Sequence, residues 1–320
     1  MHAPEFWSRP SLAATALSPI GWIYGAITDW KRTHASPYRA RAKVICVGNL
    51  TAGGSGKTPI VEAIVRNLKA QGVHVVVLSR GYGGHLAGPI MVNPQIHTAG
   101  DVGDEPLMLS ATAPVIVARD REKGAILADI EGADIIVMDD GYQNFALEKD
   151  ISIVVVDAEK GFGNGRILPA GPLREPAARG LARADAVVLV GQGAPALPGY
   201  SGPVLRANLV PRGGEPLTGR KAVAFAGIGR PEKFFATLST LKVDLSVTQA
   251  FPDHHRFTPA EISQLKAKAK QEGAMLVTTE KDFVRLAPAD REGIAALPVV
   301  AQFEPVNALD ALLASVRMKA

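Results

Sequence analysis

Gly53-Gly54-Ser55-Gly56-Lys57-Thr58 places three glycines, a hydroxyl pair and a lysine within six positions. Backbone this rich in glycine can turn its N–H groups inward around phosphate oxygens, and a helix N-terminus behind it adds a favourable dipole. A lysine at residue 57 can meet the β- and γ-phosphates, and a hydroxyl at Thr58 can ligate magnesium. The strict G-x-x-x-x-G-K-[ST] spacing asks for glycine at position 51, where this chain has Thr51. Gly53 and Gly54 supply compensating freedom. The competing reading is a glycine-rich turn that caps a helix.

Acids follow at strand-like ends. Asp134-Ile-Ile-Val-Met-Asp139-Asp140-Gly141 is an apolar run closed by two carboxylates. A carboxylate at such a position can orient the water shell of a magnesium ion; the structural alternative is an Asp-Gly turn. Asp104, in Asp101-Val-Gly-Asp104-Glu105-Pro106, reads equally as a helix N-cap or as a base for an attacking hydroxyl. Asp253-His254-His255 precedes a capped helix. Adjacent histidines share one metal poorly, so a surface loop competes with a histidine that supports the base across a cleft. The Gly/Pro-rich stretch 161–175 carries Arg166 and Arg174, whose guanidinium forks match phosphate.

These residues need a scaffold. Residues 43–48 form an apolar run before the glycine loop, and Ile60, Val61, Ile64, Val65 and Leu68 repeat at helical spacing after it. That is the strand–loop–helix context a phosphate loop requires. Further strands are expected at 73–79, 114–118, 134–138, 152–157 and 186–190, with helices at 57–70, 105–111 and 119–131. The strands lack polar alternation, as strands buried on both faces of a parallel sheet do. Gly and Pro then cluster through 194–216 around a short strand at 203–210, which reads as a linker or two-stranded ribbon. A second α/β pattern follows: strands at 222–225, 246–250, 275–278 and 299–301, and helices at 231–241, 258–272 and 308–316. Thr258 and Glu261 form a capping box at the start of one of them.

The chain has 320 residues, a net charge of +4, 6% aromatic residues and one cysteine, Cys46. One cysteine excludes an intramolecular disulfide and argues against a thiolate metal cluster. Charges are mostly interleaved and aromatics sparse, which argues against nucleic-acid binding. Residues 11–30 are mainly apolar and hold Trp22, Tyr24 and Trp30, followed by Lys31, Arg32, Arg39, Arg41 and Lys43. Ser, Thr, Pro19 and Asp29 interrupt a full span. An aromatic face followed by cations instead suits a helix lying in the headgroup region; the alternative is an amphipathic helix packed on its own domain.

Seven separated segments occur in one order: Gly48-Asn49 leading to the 53–58 loop, Ser79-Arg80-Gly81-Tyr82-Gly83, Val102-Gly103-Asp104-Glu105-Pro106, Asp139-Asp140-Gly141-Tyr142-Gln143, Leu168-Pro169-Ala170-Gly171-Pro172-Leu173-Arg174-Glu175, Asp253-His254 and Thr279-Glu280-Lys281-Asp282. The set closely resembles the tetraacyldisaccharide 4′-kinase family over nearly the whole chain. The resemblance implies an ATP- and Mg2+-dependent kinase acting on the 4′-hydroxyl of a tetraacylated glucosamine disaccharide 1-phosphate, at the cytoplasmic face of the bacterial inner membrane. It implies a P-loop NTPase-like parallel sheet domain and a smaller α/β domain, joined by a β-ribbon linker, with an N-terminal membrane-associated helix. The corresponding regions are 1–42, 43–200, 201–218 and 219–320. Asp104 matches the family's catalytic base, His254 its paired histidine and Lys57 its phosphate lysine. Thr51, Ala52, Gly53, Gly54, Ser55, Gly56, Lys57, Thr58 and Arg174 are expected around the nucleotide, and Thr58, Asp139 and Asp140 around the metal. Thr51 belongs to the family pattern. The expected partners are the glycolipid and the membrane surface, with no nucleic acid and no obligate protein partner. The alternative function is a P-loop regulatory NTPase that switches a partner protein. The Asn-Lys-x-Asp motif of such GTPases is not matched by Glu280-Lys281-Asp282.

Overall fold

A computed structural model describes residues 4–317; the ends of two expected regions, residues 1–3 and 318–320, lie outside the described residues. The chain opens with α1 (Leu12–Thr33), then β1 (Lys43–Gly48), α2 (Lys57–Ala70), β2 (Val75–Ser79), β3 (Ile90–Met91), α3 (Ala99–Val102), α4 (Asp104–Leu109), β4 (Val115–Val117), α5 (Arg121–Ile130) and β5 (Ile135–Asp139). It continues through β6 (Ile151–Asp157), α6 (Ala177–Leu181), β7 (Ala186–Val190) and β8 (Val204–Pro211). The remainder is β9 (Lys221–Ala226), α7 (Pro231–Thr240), β10 (Asp244–Ala250), α8 (Pro259–Gln271), β11 (Met275–Thr279), α9 (Glu280–Arg285), β12 (Ile294–Leu297), β13 (Val299–Glu304) and α10 (Ala308–Arg317).

Two sheets result. The larger runs β13-β8-β7-β6-β1-β5-β2-β4-β3, the smaller β10-β9-β11-β12. Strands from β8 across to β4 pair in parallel, while β3 and β13 close the two edges antiparallel. All pairs in the smaller sheet are parallel. The pleat sorts β1 between two cores. Ile45 and Val47 face Ile60, Ile64 and Leu68 of α2. Val44 and Cys46 face the opposite core, with Val76, Leu78 and Met138. Apolar contacts on both faces explain the unbroken apolar strands. β1 lies centrally, between β5 and β6, so its carboxyl end opens onto the crevice where such sheets bind ligands.

Several boundaries differ from the sequence expectation. Asp120 ends the strand-to-helix connection by accepting the Lys123 N–H, so α5 starts at Arg121. The strand in the Gly/Pro-rich stretch does not stand apart: β8 pairs in parallel with β7 and antiparallel with β13. Residues 299–317 fall in the region expected as the second unit, yet β13 joins the large sheet, and Leu309 and Leu313 of α10 pack in its core. Only Pro298 separates β12 from β13. Proximity along the chain cannot reveal such a return, because the pairing of β13 spans nearly a hundred residues.

α1 has two unlike faces. Ala14, Ser18, Gly21 and Gly25 are buried, and a Cβ on Gly21 would lie 2.8 Å from the Ile167 carbonyl oxygen. Small residues therefore let α1 sit directly on the 161–175 loop. Arg166 of that loop donates to Ser18 and Thr15. The other face exposes Ile20, Trp22, Ile23, Tyr24, Ile27 and Trp30. No helix among the described residues is long and apolar enough to cross a membrane.

Candidate active site

The glycine loop leaves β1 and ends at Gly56, whose φ of 80° places it in the left-handed region as the N-cap of α2. A side chain there would be strained and would press on Val190 at 3.1 Å. At Gly53 and Gly54 a Cβ would meet nothing within 4 Å, so the loop rim is open. Ser55 is buried, and Asn49 Nδ2 donates to its Oγ at 3.2 Å. The segment before the loop is braced by the 161–175 stretch. Thr51 bridges Leu173, the Ala52 N–H donates to Pro172 O at 2.7 Å, and the Arg174 N–H donates to Leu50 O at 2.8 Å. Thr51 thus makes a pairing position where the strict motif would have glycine. Lys57 and Thr58 open α2, beside its free N–H groups.

Asp139 ends β5, next to β1, and the two acids diverge. Asp139 is 1% exposed and its Oδ1 has no hydrogen-bond partner. Ser79 Oγ lies 3.5 Å from Oδ2. Burial, then Glu105 and Asp140, push its pKa up to about 7. Burial alone would raise Asp140 too, but Lys57 and Arg174 outweigh it and hold that carboxyl below its usual value. Arg174 Nη1 lies 3.0 Å from Asp140 Oδ1, and Lys57 Nζ 3.7 Å from the same oxygen. Asp139 therefore forms no ion pair among the described residues, Lys57 and Arg121 acting on it only at a distance, whereas Asp140 pairs with two cations. An orphaned buried carboxylate oxygen is the kind of hard donor magnesium takes.

Asp104 is the first residue of α4 and is buried. Its carboxylate meets three side chains of the other unit. Arg285 Nε is 3.0 Å from Oδ2, His254 Nδ1 3.2 Å and Lys281 Nζ 3.7 Å. Burial alone would raise the Asp104 pKa; His254, Lys281 and Arg285 reverse this and hold it well below the usual carboxylate range. His254 adopts φ 59°, and its N–H donates to Gly227 O at 3.1 Å. Left-handed backbone at a non-glycine residue costs energy and is found where the fold needs the side chain aimed. Glu105 bonds Lys281 at 3.1 Å and is close enough to Asp139 to raise its pKa. The Asp104 and Asp139 groups thus line one crevice.

Of the expected residues, the structure brings Asp104 to His254 and Asp140 to Lys57 and Arg174. It also brings in Lys281 and Gln143, whose motifs the sequence carries without a role for them, and Arg285 and Arg121, which sequence reasoning missed. Arg121 is 3% exposed, and burial lowers its pKa to about 10. Gln143 Nε2 donates to Asn49 O at 2.9 Å and to Glu175 at 3.0 Å, tying the Asp-Asp-Gly turn to the glycine loop. Arg285 lies four residues past Lys281, the spacing that puts both on one helix face, which is the signal that could have found it.

The sequence matches the family described as Tetraacyldisaccharide-1-P 4′-kinase over residues 13–317. A Tetraacyldisaccharide 4′-kinase from Rhodospirillum centenum is 49% identical over 325 residues, covering 98% of this chain and 96% of the relative. One from Rhodopseudomonas palustris (strain BisB5) is 50% identical over 297 residues, covering 90% and 88%. Among solved structures, "apo" form LpxK from Aquifex aeolicus in complex with ATP superposes with a TM-score of 0.79 at 28% identity, covering 95% of this chain and 99% of that one.

Proposed function

The chain belongs to the tetraacyldisaccharide-1-P 4′-kinase family, and from that premise we propose that it transfers the γ-phosphoryl group of ATP to the 4′-hydroxyl of a tetraacyldisaccharide 1-phosphate in lipid A biosynthesis. The observation that carries this reading is the crevice itself. A phosphate-type loop with Lys57, a cation-seeking Asp139 and a buried, ionised Asp104 face it together.

The nucleotide phosphates rest on the backbone of residues 51–58, with Lys57 and Arg174 against their charge. Thr58 and Asp139 would hold magnesium, and Asp140 keeps Lys57 and Arg174 in place. Magnesium, when bound, neutralises charge building on the transferred group. Asp104 orients the sugar hydroxyl and accepts its proton, and His254, 3.2 Å away, supports the carboxylate. Phosphoryl transfer of this kind needs orientation and charge stabilisation more than a strong base, so a carboxylate of low pKa suffices. α1 lies on the membrane at the cytoplasmic face, its aromatic side in the headgroups and Lys31 and Arg32 near anionic lipid.

The test follows labelled γ-phosphate from ATP into the disaccharide acceptor. Transfer should require the acceptor and magnesium, and Asp104→Ala should lower turnover by about 100-fold or more. ATP hydrolysis indifferent to the acceptor, or near-wild-type transfer by the variant, would overturn the reading.

A further inference from the structure

The proposed base is anchored entirely from across the crevice. Asp104 belongs to the nine-stranded unit, whereas its partners come from the smaller one: Lys281 and Arg285 from α9, and His254 from the loop after β10. Their contacts converge on one oxygen. Arg285 reaches Oδ2 with Nε at 3.0 Å and Nη2 at 2.5 Å, and Nδ1 of His254 and Nζ of Lys281 lie at 3.2 and 3.7 Å. Oδ1 accepts no hydrogen bond from the described residues.

Arg285 is itself clamped. It is 6% exposed, and Nη1 donates to Gly227 O and to Asp282 Oδ1, both at 2.7 Å. Asp282 is fully buried and accepts from the Gly227 N–H at 2.9 Å and from Thr279 Oγ1 at 2.7 Å. One edge of the guanidinium is thus fixed to the start of α9 and the β9–α7 connection, and the other grips Asp104. Glu105 shares Lys281 with Asp104, and Asp253 lies 3.9 Å from His254, so Arg285 makes the closest grip on Oδ2.

We infer that Arg285 is a positioning residue for phosphoryl transfer: its planar fork pins Oδ2 of Asp104 and so presents Oδ1 to the acceptor hydroxyl. This rests on Asp104 being the base. The torsion of a carboxylate about its Cβ–Cγ bond is broad, so an unpinned Asp104 spends much of its time with neither oxygen on the hydroxyl. Misplacement of a reacting group by about 1 Å can cost roughly 100-fold in rate. Arg285 also ties the alignment of the base to the seating of the smaller unit, because both of its edges must be engaged at once. A lysine keeps the charge but not the two-pronged geometry.

Steady-state kinetics of the full chain with ATP and the disaccharide acceptor test this. Arg285→Gln should lower kcat by about 10- to 100-fold with KM for ATP within about twofold. Arg285→Lys should fall between, at least about threefold below wild type. Adding Arg285→Gln to Asp104→Asn should cost less than about twofold more, because the base it positions is already gone. Wild-type kcat in Arg285→Lys or Arg285→Gln would overturn the inference. So would an equal loss in the Asp104→Asn background, or a parallel rise in KM for ATP. If Arg285→Gln does not fold, the Arg285→Lys result decides. Wild-type turnover in Asp104→Asn would instead sink the base reading itself, whatever Arg285 does.

Discussion

Neighbouring residues of one type have different roles here because burial and partners differ. Asp139 and Asp140 are adjacent, yet one is a buried acid with an unbonded oxygen and the other is held by Lys57 and Arg174. His254 reaches Asp104, while His255 points the other way: its Nε2 bonds Glu261 at 3.0 Å and its ring stacks on Phe251. His255 therefore supports the capped start of α8. Asp104 has a measurable signature in stability. Its folded pKa lies below the unfolded value of about 3.9. The ionised carboxylate therefore stabilises the fold above that pH, and the contribution is lost as pH falls through and below it. Asp104→Asn removes one of the two carboxylates that face the buried Arg285 and should lower Tm by roughly 5 °C at pH 7. Thermal melts should show this deficit narrowing below about pH 4; a deficit independent of pH would place the effect elsewhere.

At the scale of elements, short connections carry much of the chemistry. α9 is six residues long, and Thr279 caps it by accepting the Asp282 N–H. That cap fixes Asp282, and through it Arg285. On another side of the smaller unit, Arg230 precedes α7 and reaches Asp157 at the end of β6 and Glu159 beyond it, while Lys233 meets Glu159 at 2.6 Å. These look alike as ion pairs but differ in burial. Asp157 is 8% exposed, whereas the Lys233 and Glu159 side chains are each 48% exposed. Removing one partner of a buried pair leaves a desolvated charge, while an exposed pair contributes about 0–1 kcal/mol. Calorimetry should therefore show Arg230→Ala lowering Tm by several degrees and Lys233→Ala by about 1 °C or less. Equal effects would mean the units are not held together by the buried pair.

For the whole molecule, the proposed membrane contact of α1 would set how the crevice meets a lipid substrate. The small-residue face of α1 is committed to the 161–175 loop, so its aromatic face has only the exterior left. Replacing Trp22 and Ile27 with Glu should release the protein from vesicles containing anionic lipid while leaving the fold intact by circular dichroism. Unchanged vesicle binding would remove α1 as the anchor. Much of this was legible beforehand. The Gly53–Thr58 loop announces itself because the strand, glycines, lysine and helix are local and contiguous, and the parallel strands because burial on both faces leaves unbroken apolar runs. The capping box of α8 is likewise a matter of three residues. What remained hidden is long-range. The return of β13 and α10 to the first sheet, the divergence of Asp139 from Asp140, and the grip of Arg285 on Asp104 each join residues far apart in the chain, or depend on how deeply a side chain is buried. By itself the sequence determined the phosphate loop, the fold class and the family, because those rest on local periodicity and ordered motifs. The tertiary structure alone decided which acid is ion-paired and which oxygen of Asp104 is free, because desolvation and counter-charge exist only once the chain has packed.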